Sequence, residues 1–166
     1  MGRMNLKVLA PAAGLMLAAG AARAQEGGYT LVPPAERLTF GDVFADASLM
    51  VQAVFAALIV SAVAAVAIWA MSLGKVGKAD AKGLAAALGR LKIVRAAGTP
   101  LGALTAAYVL LSGFIGIANV RPTPSMAVMA PGWAEAALAV MLGLLATTVG
   151  VLCERHLEAQ IRRAAA

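Results

Sequence analysis

Residues 112–143 read SGFIGIANVRPTPSMAVMAPGWAEAALAVMLG, and this stretch decides the fold. An apolar helix is expected to end near Ala118, followed by a polar turn containing Pro122 and Pro124. A second apolar helix is expected to begin near Pro131, since proline suits a first helical position, where its missing N–H has no partner to lose. Four residues further on, that helix carries an acid, Glu135. A carboxylate inside a membrane span costs about 2.5–3.5 kcal/mol on insertion scales, which makes it a functional candidate. The rest of the chain reads as what this hairpin needs in order to be inserted, oriented and packed.

Working outward, residues 100–120 form one apolar stretch and residues 131–153 the other. On the first, Thr105, Tyr108, Ser112, Gly116 and Asn119 fall within about 80° of arc at 100° per residue. Such a face serves either helix packing through small residues and interhelical hydrogen bonds or a water- or proton-accessible wall. On the second, Glu135, Ala139, Gly143, Ala146 and Gly150 also share about 80° of arc. Small residues let helices approach closely, so this ridge places Glu135 against protein and not against lipid. Three readings of Glu135 stand: a first-turn acid favoured by the helix dipole, a partner of Arg121 in the turn, or a lumen-lining or partner-contacting group.

A third charge-free stretch, residues 48–73, is more than long enough to cross a bilayer, which needs about 20 apolar residues. Gln52 and Ser61 are its main polar groups, read as anchoring and packing residues, and Trp69 suits an interfacial aromatic near its inner end. With 61% hydrophobic and 13% charged residues, the 166-residue chain lies far from an ordinary globular domain. It is expected to be an all-α membrane protein with three transmembrane helices.

Residues 1–24 read as a cleaved signal peptide. Arg3 and Lys7 form the basic region, an apolar run follows, and Ala22-Arg23-Ala24 is the cleavage site, so the mature chain starts at Gln25. Residues 25–47 form an extended periplasmic lead-in, punctuated by Gly27-Gly28 and Pro33-Pro34, with Phe40 to Ala47 as a short interfacial helix. Residues 74–99 form a basic cytoplasmic linker in which Leu84, Leu88 and Leu91 mark a short amphipathic helix. The linker reads either as contact with anionic headgroups or as a positive-inside signal. Residues 121–130 are the periplasmic turn and residues 154–166 a cytoplasmic tail, with His156 solvated or at headgroup level.

The mature chain carries nine Lys and Arg in the linker and tail against Arg37 and Arg121 on the other side. That asymmetry places the N-terminus outside and the C-terminus inside. The formal charge of +6 is therefore a topology feature and implies no nucleic acid. One cysteine, Cys153, excludes an internal disulfide, and with one histidine it makes no metal site. No nucleophile–base pair or phosphate loop is visible, so neither an enzymatic role nor a cofactor is expected.

Phe114-Ile115-Gly116-Ile117-Ala118 and Ala130-Pro131-Gly132-Trp133-Ala134-Glu135-Ala136 resemble, in content and separation, the last two membrane helices of the ExbB/TolQ/MotA proton-channel family, ExbB most closely. The resemblance covers residues 100–151 and, more loosely, the first span. It implies a homo-oligomeric ring, typically a pentamer, in the bacterial inner membrane. The ring's pore surrounds helices of an ExbD-like partner and uses the proton motive force to drive TonB-type transport. It assigns Phe114, Gly116, Pro131 and Gly132 to the family motif. Glu135 takes the place of the family's glutamate, and Ala139, Gly143, Thr105, Ser112 and Gly116 are grouped with it as pore or partner contacts.

Two features depart from the family. Its pore threonines fall at Ala106 or Ala107 and at Val140, which are apolar, and its large cytoplasmic helical region is replaced by the short linker. A structural or accessory subunit that assembles without conducting protons is therefore the alternative expectation. A small transporter or channel subunit of unrelated mechanism comes third.

Overall fold

A charge-free run longer than a bilayer is thick has one economical conformation, because only a helix satisfies its backbone polar groups within a single segment. The computed structural model describes residues 33, 37–76 and 80–165, and among these it is all-helical. The helices are α1 (Phe40–Asp46), α2 (Leu49–Val76), α3 (Ala81–Ala118) and α4 (Met126–Ala165). The last three are long and apolar enough to cross a membrane, which makes this a multi-pass membrane protein. The expected signal peptide and most of the lead-in lie outside the described residues.

The short expected helix after the lead-in is present as α1. Thr39 caps it: its Oγ1 accepts from the Asp42 backbone N–H, and Asp42 Oδ2 accepts from the Thr39 hydroxyl and N–H. These bonds hold the Asp42 carboxyl below its ordinary range. The cap is thus complete above the free acid's range and is lost as pH falls. Gln52 is more than an anchor. Its Nε2 donates to the carbonyls of Ala45 at 2.8 Å and Ala47 at 2.9 Å, closing the open end of α1 onto α2.

No break in the helix marks the expected boundary between linker and second span. Helix α3 runs unbroken through Pro100 for 38 residues, about 57 Å at 1.5 Å per residue. The amphipathic stripe expected in the linker is this helix's inward face: Leu91 is fully buried and Leu84 nearly so, against Ala65, Cys153 and Leu157. Pro100 has no N–H for the carbonyl four residues earlier. In membranes such a break is tolerated when a neighbouring side chain serves the loosened backbone. Here Thr147 Oγ1, on α4, accepts from the Thr99 N–H at 2.8 Å and from the Thr99 hydroxyl at 2.9 Å.

Pro131 is likewise not the first residue of its helix. Helix α4 starts five residues earlier, at Met126, and carries Pro131 inside it. Glu135 therefore lies about 14 Å along α4, not one turn from its start, which removes the first-turn dipole reading.

Helices α3 and α4 form a long antiparallel hairpin. Its crossing is built on glycine: a Cβ at Gly102 would lie 2.8 Å from the Gly143 Cα, and one at Gly98 2.6 Å from Thr147 Oγ1. Helix α2 lies along this hairpin. Its Val51, Phe55, Leu58 and Ala62 pack into a cluster with Ala106, Val109, Ala139, Leu142 and Ala146. Nearer the loop between α2 and α3, Trp69 Nε1 donates to His156 Nδ1 at 2.8 Å, with the rings edge to face. Trp69, expected at a lipid interface, therefore has a protein partner, and His156 is its acceptor.

The candidate partner face on helices α3 and α4

The ridge read from the sequence divides between two environments. Ala139 and Ala146 are fully buried, Gly143 faces Gly98 and Gly102, and Gly150 faces the backbone of Arg95. That part of the ridge is consumed inside the subunit. Small residues were expected to let helices approach, and they do, but the helix that approaches is the chain's own α3.

Glu135, at the head of the ridge, is half-buried, and among the described residues it makes no hydrogen bond or ion pair. The expected alternative partner, Arg121, is exposed in the turn and unpaired there. An acid without an internal partner is either hydrated or met by something outside the subunit.

The polar face of α3 also divides. Thr105 turns inward, 6% exposed, and its hydroxyl donates to the Leu101 carbonyl at 2.9 Å, which leaves that donor unavailable to a pore. Ser112 and Gly116 are exposed, as are Tyr108 and Phe114. Asn119 caps the helix, its Nδ2 donating to the Ile115 carbonyl. Of the two candidate positions for a pore threonine, Ala106 is buried and Ala107 exposed, while Val140 faces away from the core at 40% exposure.

Toward the turn, the hairpin opens into a cleft of about 300 Å³ between Phe114 and Ile117 on one wall and Met129 and Trp133 on the other. Three glycines line it: Gly113, Gly116 and Gly132. A Cβ on any of them would meet nothing within 4 Å. The subunit's own packing gives no reason for them, in contrast to Gly98, Gly102 and Gly143. Glu135 lies three residues past Gly132, and so neighbours it on the helix surface.

Sequence reading missed the contacts that tie the hairpin together. Gly98-Thr99-Pro100-Leu101-Gly102 is a G-x-x-x-G pattern, a signal for close helix approach that was legible but lay across the supposed linker boundary. The Thr99–Thr147 contact and the pairing of Arg95 with Glu154 carry no local signal, since the first joins residues 48 positions apart and the second 59. Thr147→Val keeps the shape and removes the acceptor, so it is expected to lower stability by about 1–2 kcal/mol. Thr147→Ser is expected to restore most of it, as read from unfolding midpoints in detergent.

No protein-family model, curated protein or solved structure matches this chain.

Proposed function

We propose that the chain is an ExbB-like subunit of an inner-membrane complex that couples the proton motive force to TonB-type envelope transport. It assembles as a homo-oligomeric ring around helices of an ExbD-like partner. The observation that carries this reading is the unpartnered Glu135 beside a glycine-lined apolar cleft. A helix from a second protein brings its backbone close only where side chains are absent, and three glycines without an internal use meet that need. The basic ends of α3 and α4 face the cytoplasm, by the asymmetry of Lys and Arg.

A second reading has its own support: the subunit assembles and contacts its partner without conducting protons. Thr105 spends its hydroxyl on its own helix, Ala106 and Val140 are apolar, and the ridge below Glu135 is closed by backbone contact. No chain of polar groups among the described residues links Glu135 to the basic end.

Variants of Glu135 separate contact with the partner from proton carriage by this residue. Glu135→Ala is expected to abolish partner co-purification and energy-dependent uptake while abundance stays near normal, because removing an unpaired intramembrane acid does not impair insertion. Glu135→Gln keeps size and hydrogen bonding but cannot titrate, and it is expected to retain most of both. A Gln variant as inactive as the Ala variant, with the partner still bound, would restore proton carriage by Glu135. Normal partner capture and uptake by both variants would remove Glu135 from function altogether.

A further inference from the structure

The basic end of the bundle holds a second, unrelated groove. The end of α2, the start of α3 and the end of α4 leave an open channel of about 470 Å³ whose apolar lining includes Val76, Leu84, Leu88 and Ile161. Lysines and arginines lie close in sequence to its lining residues. Lys75 precedes Val76, Lys82 lies on the α3 wall, Lys92 is one turn beyond Leu88, and Arg162 and Arg163 follow Ile161. All five are exposed, and among the described residues none makes a hydrogen bond or ion pair. The nearby acids do not neutralise them: Asp80 accepts from the Gly83 N–H as the α3 cap, Glu154 is buried against Arg95, and Glu158 forms no ion pair.

The depth of this groove decides between lipid and protein as occupant. Arg95 meets Glu154, so the charges of α3 (Arg90, Lys92, Arg95) and those of α4 (Glu154, Arg155, Glu158) begin at one level. Lys and Arg gather where a span leaves the hydrocarbon on the cytoplasmic side, and the first charges met on both helices are Arg95 and Glu154. The boundary is therefore placed at that pair, with Met71, Ile93 and the other exposed apolar side chains past it in the headgroup layer or in water. Leu88 and Ile161 are each seven residues past it, about 10 Å. The headgroup layer is only about 5–7 Å thick. The groove therefore opens into water, beyond the reach of acyl chains.

We propose that this groove docks an amphipathic helix of another protein, with an apolar stripe facing Leu88 and Ile161 and acidic residues on its flanks. Apolar anchors at helical spacing fit an elongated apolar channel, and five unpaired cations select negative flanks. The inference concerns the end of the bundle opposite Glu135 and does not depend on the function proposed above.

The test uses the full chain in phosphatidylcholine nanodiscs and a labelled synthetic helix with leucines at i, i+4 and i+7 flanked by glutamates. A scrambled peptide of the same composition is the control. The patterned helix is expected to bind at least about tenfold more tightly than the scrambled one, and more weakly as salt rises. Ala85→Glu, at an exposed lining position, and Lys82→Glu are each expected to weaken it about tenfold, with the melting profile unchanged. Equal binding of the two peptides, or indifference to both variants, would overturn the proposal. So would displacement of the helix by phosphatidylglycerol placed in the nanodisc, which would show the groove to be a lipid surface.

Discussion

Gly143→Leu is expected to leave little folded subunit. A Cβ at this position would stand 2.7 Å from the Gly98 carbonyl oxygen and 2.9 Å from the Gly102 Cα, and both are backbone atoms that no rotamer change can move. The branched side chain beyond that Cβ would have to displace α3 as a whole. Overpacking a tight core costs about 1–3 kcal/mol, occasionally more, and this crossing also aligns the Thr99–Thr147 contact one turn away. Loss of stability of at least about 3 kcal/mol is expected, read as loss of membrane-extracted protein and of a monodisperse species in detergent. Even Gly143→Ala is expected to be clearly destabilising, because its Cβ alone makes the clash. Gly116→Ala, in the open cleft, is expected to leave stability unchanged. If Gly143→Leu accumulates normally and loses only its oligomeric state, the ridge packs between subunits and the hairpin described here is wrong.

Arg95 and Glu154 are expected to respond very unequally to removal. Glu154 is 3% exposed at its side chain, Arg95 45%, and Arg95 Nη1 lies 3.0 Å from Glu154 Oε2. That oxygen accepts no aligned hydrogen bond, so the attraction is one of charge and distance without a directed N–H. Arg95→Met strands a buried carboxylate, and breaking a buried pair in this way costs about 3–5 kcal/mol. Glu154→Met leaves an arginine that already reaches solvent, so its loss is expected to stay near 1 kcal/mol. The double variant replaces both with an apolar pair of similar length and is expected to return close to the parent, since a well-packed apolar substitute is often as stable as a buried ion pair. Unfolding midpoints of the four proteins form the cycle. Equal losses from the two single variants would mean that Glu154 is hydrated and the pair superficial.

These two sites show where sequence reading stopped. Glu154 sits between Cys153 and Arg155 at the start of a polar tail, where nothing local in the sequence singles it out for burial. It is buried because α4 continues without a break and carries residue 154 to the flank of α3. Pro100 and Pro131 read in the sequence as helix entries, because proline suits a first helical position. Within a packed hairpin the same residue is tolerated, since Thr147 holds the Thr99 N–H next to Pro100 and Pro131 lies in the second turn of α4, five residues from its start.

That this chain is helical and membrane-spanning is legible in its charge-free runs, because runs of that length allow no other backbone solution within one segment. The short helix before the first long one was legible as well, though not its cap, and so was which residues share a face, because side-chain period follows from helix geometry alone. Which partner each face would meet was beyond the sequence by itself. The Glu135–Gly150 ridge suits a neighbouring subunit and a neighbouring helix equally well, since close approach asks only for small side chains and not for a particular chain. Tertiary structure assigned Ala139, Gly143 and Ala146 to the subunit's own hairpin and left Glu135 unpaired beside Gly132. This happens because α3 presents two glycines, Gly98 and Gly102, at the height where α4 presents Gly143. Complementarity of that kind exists only once two segments some forty residues apart have been brought side by side.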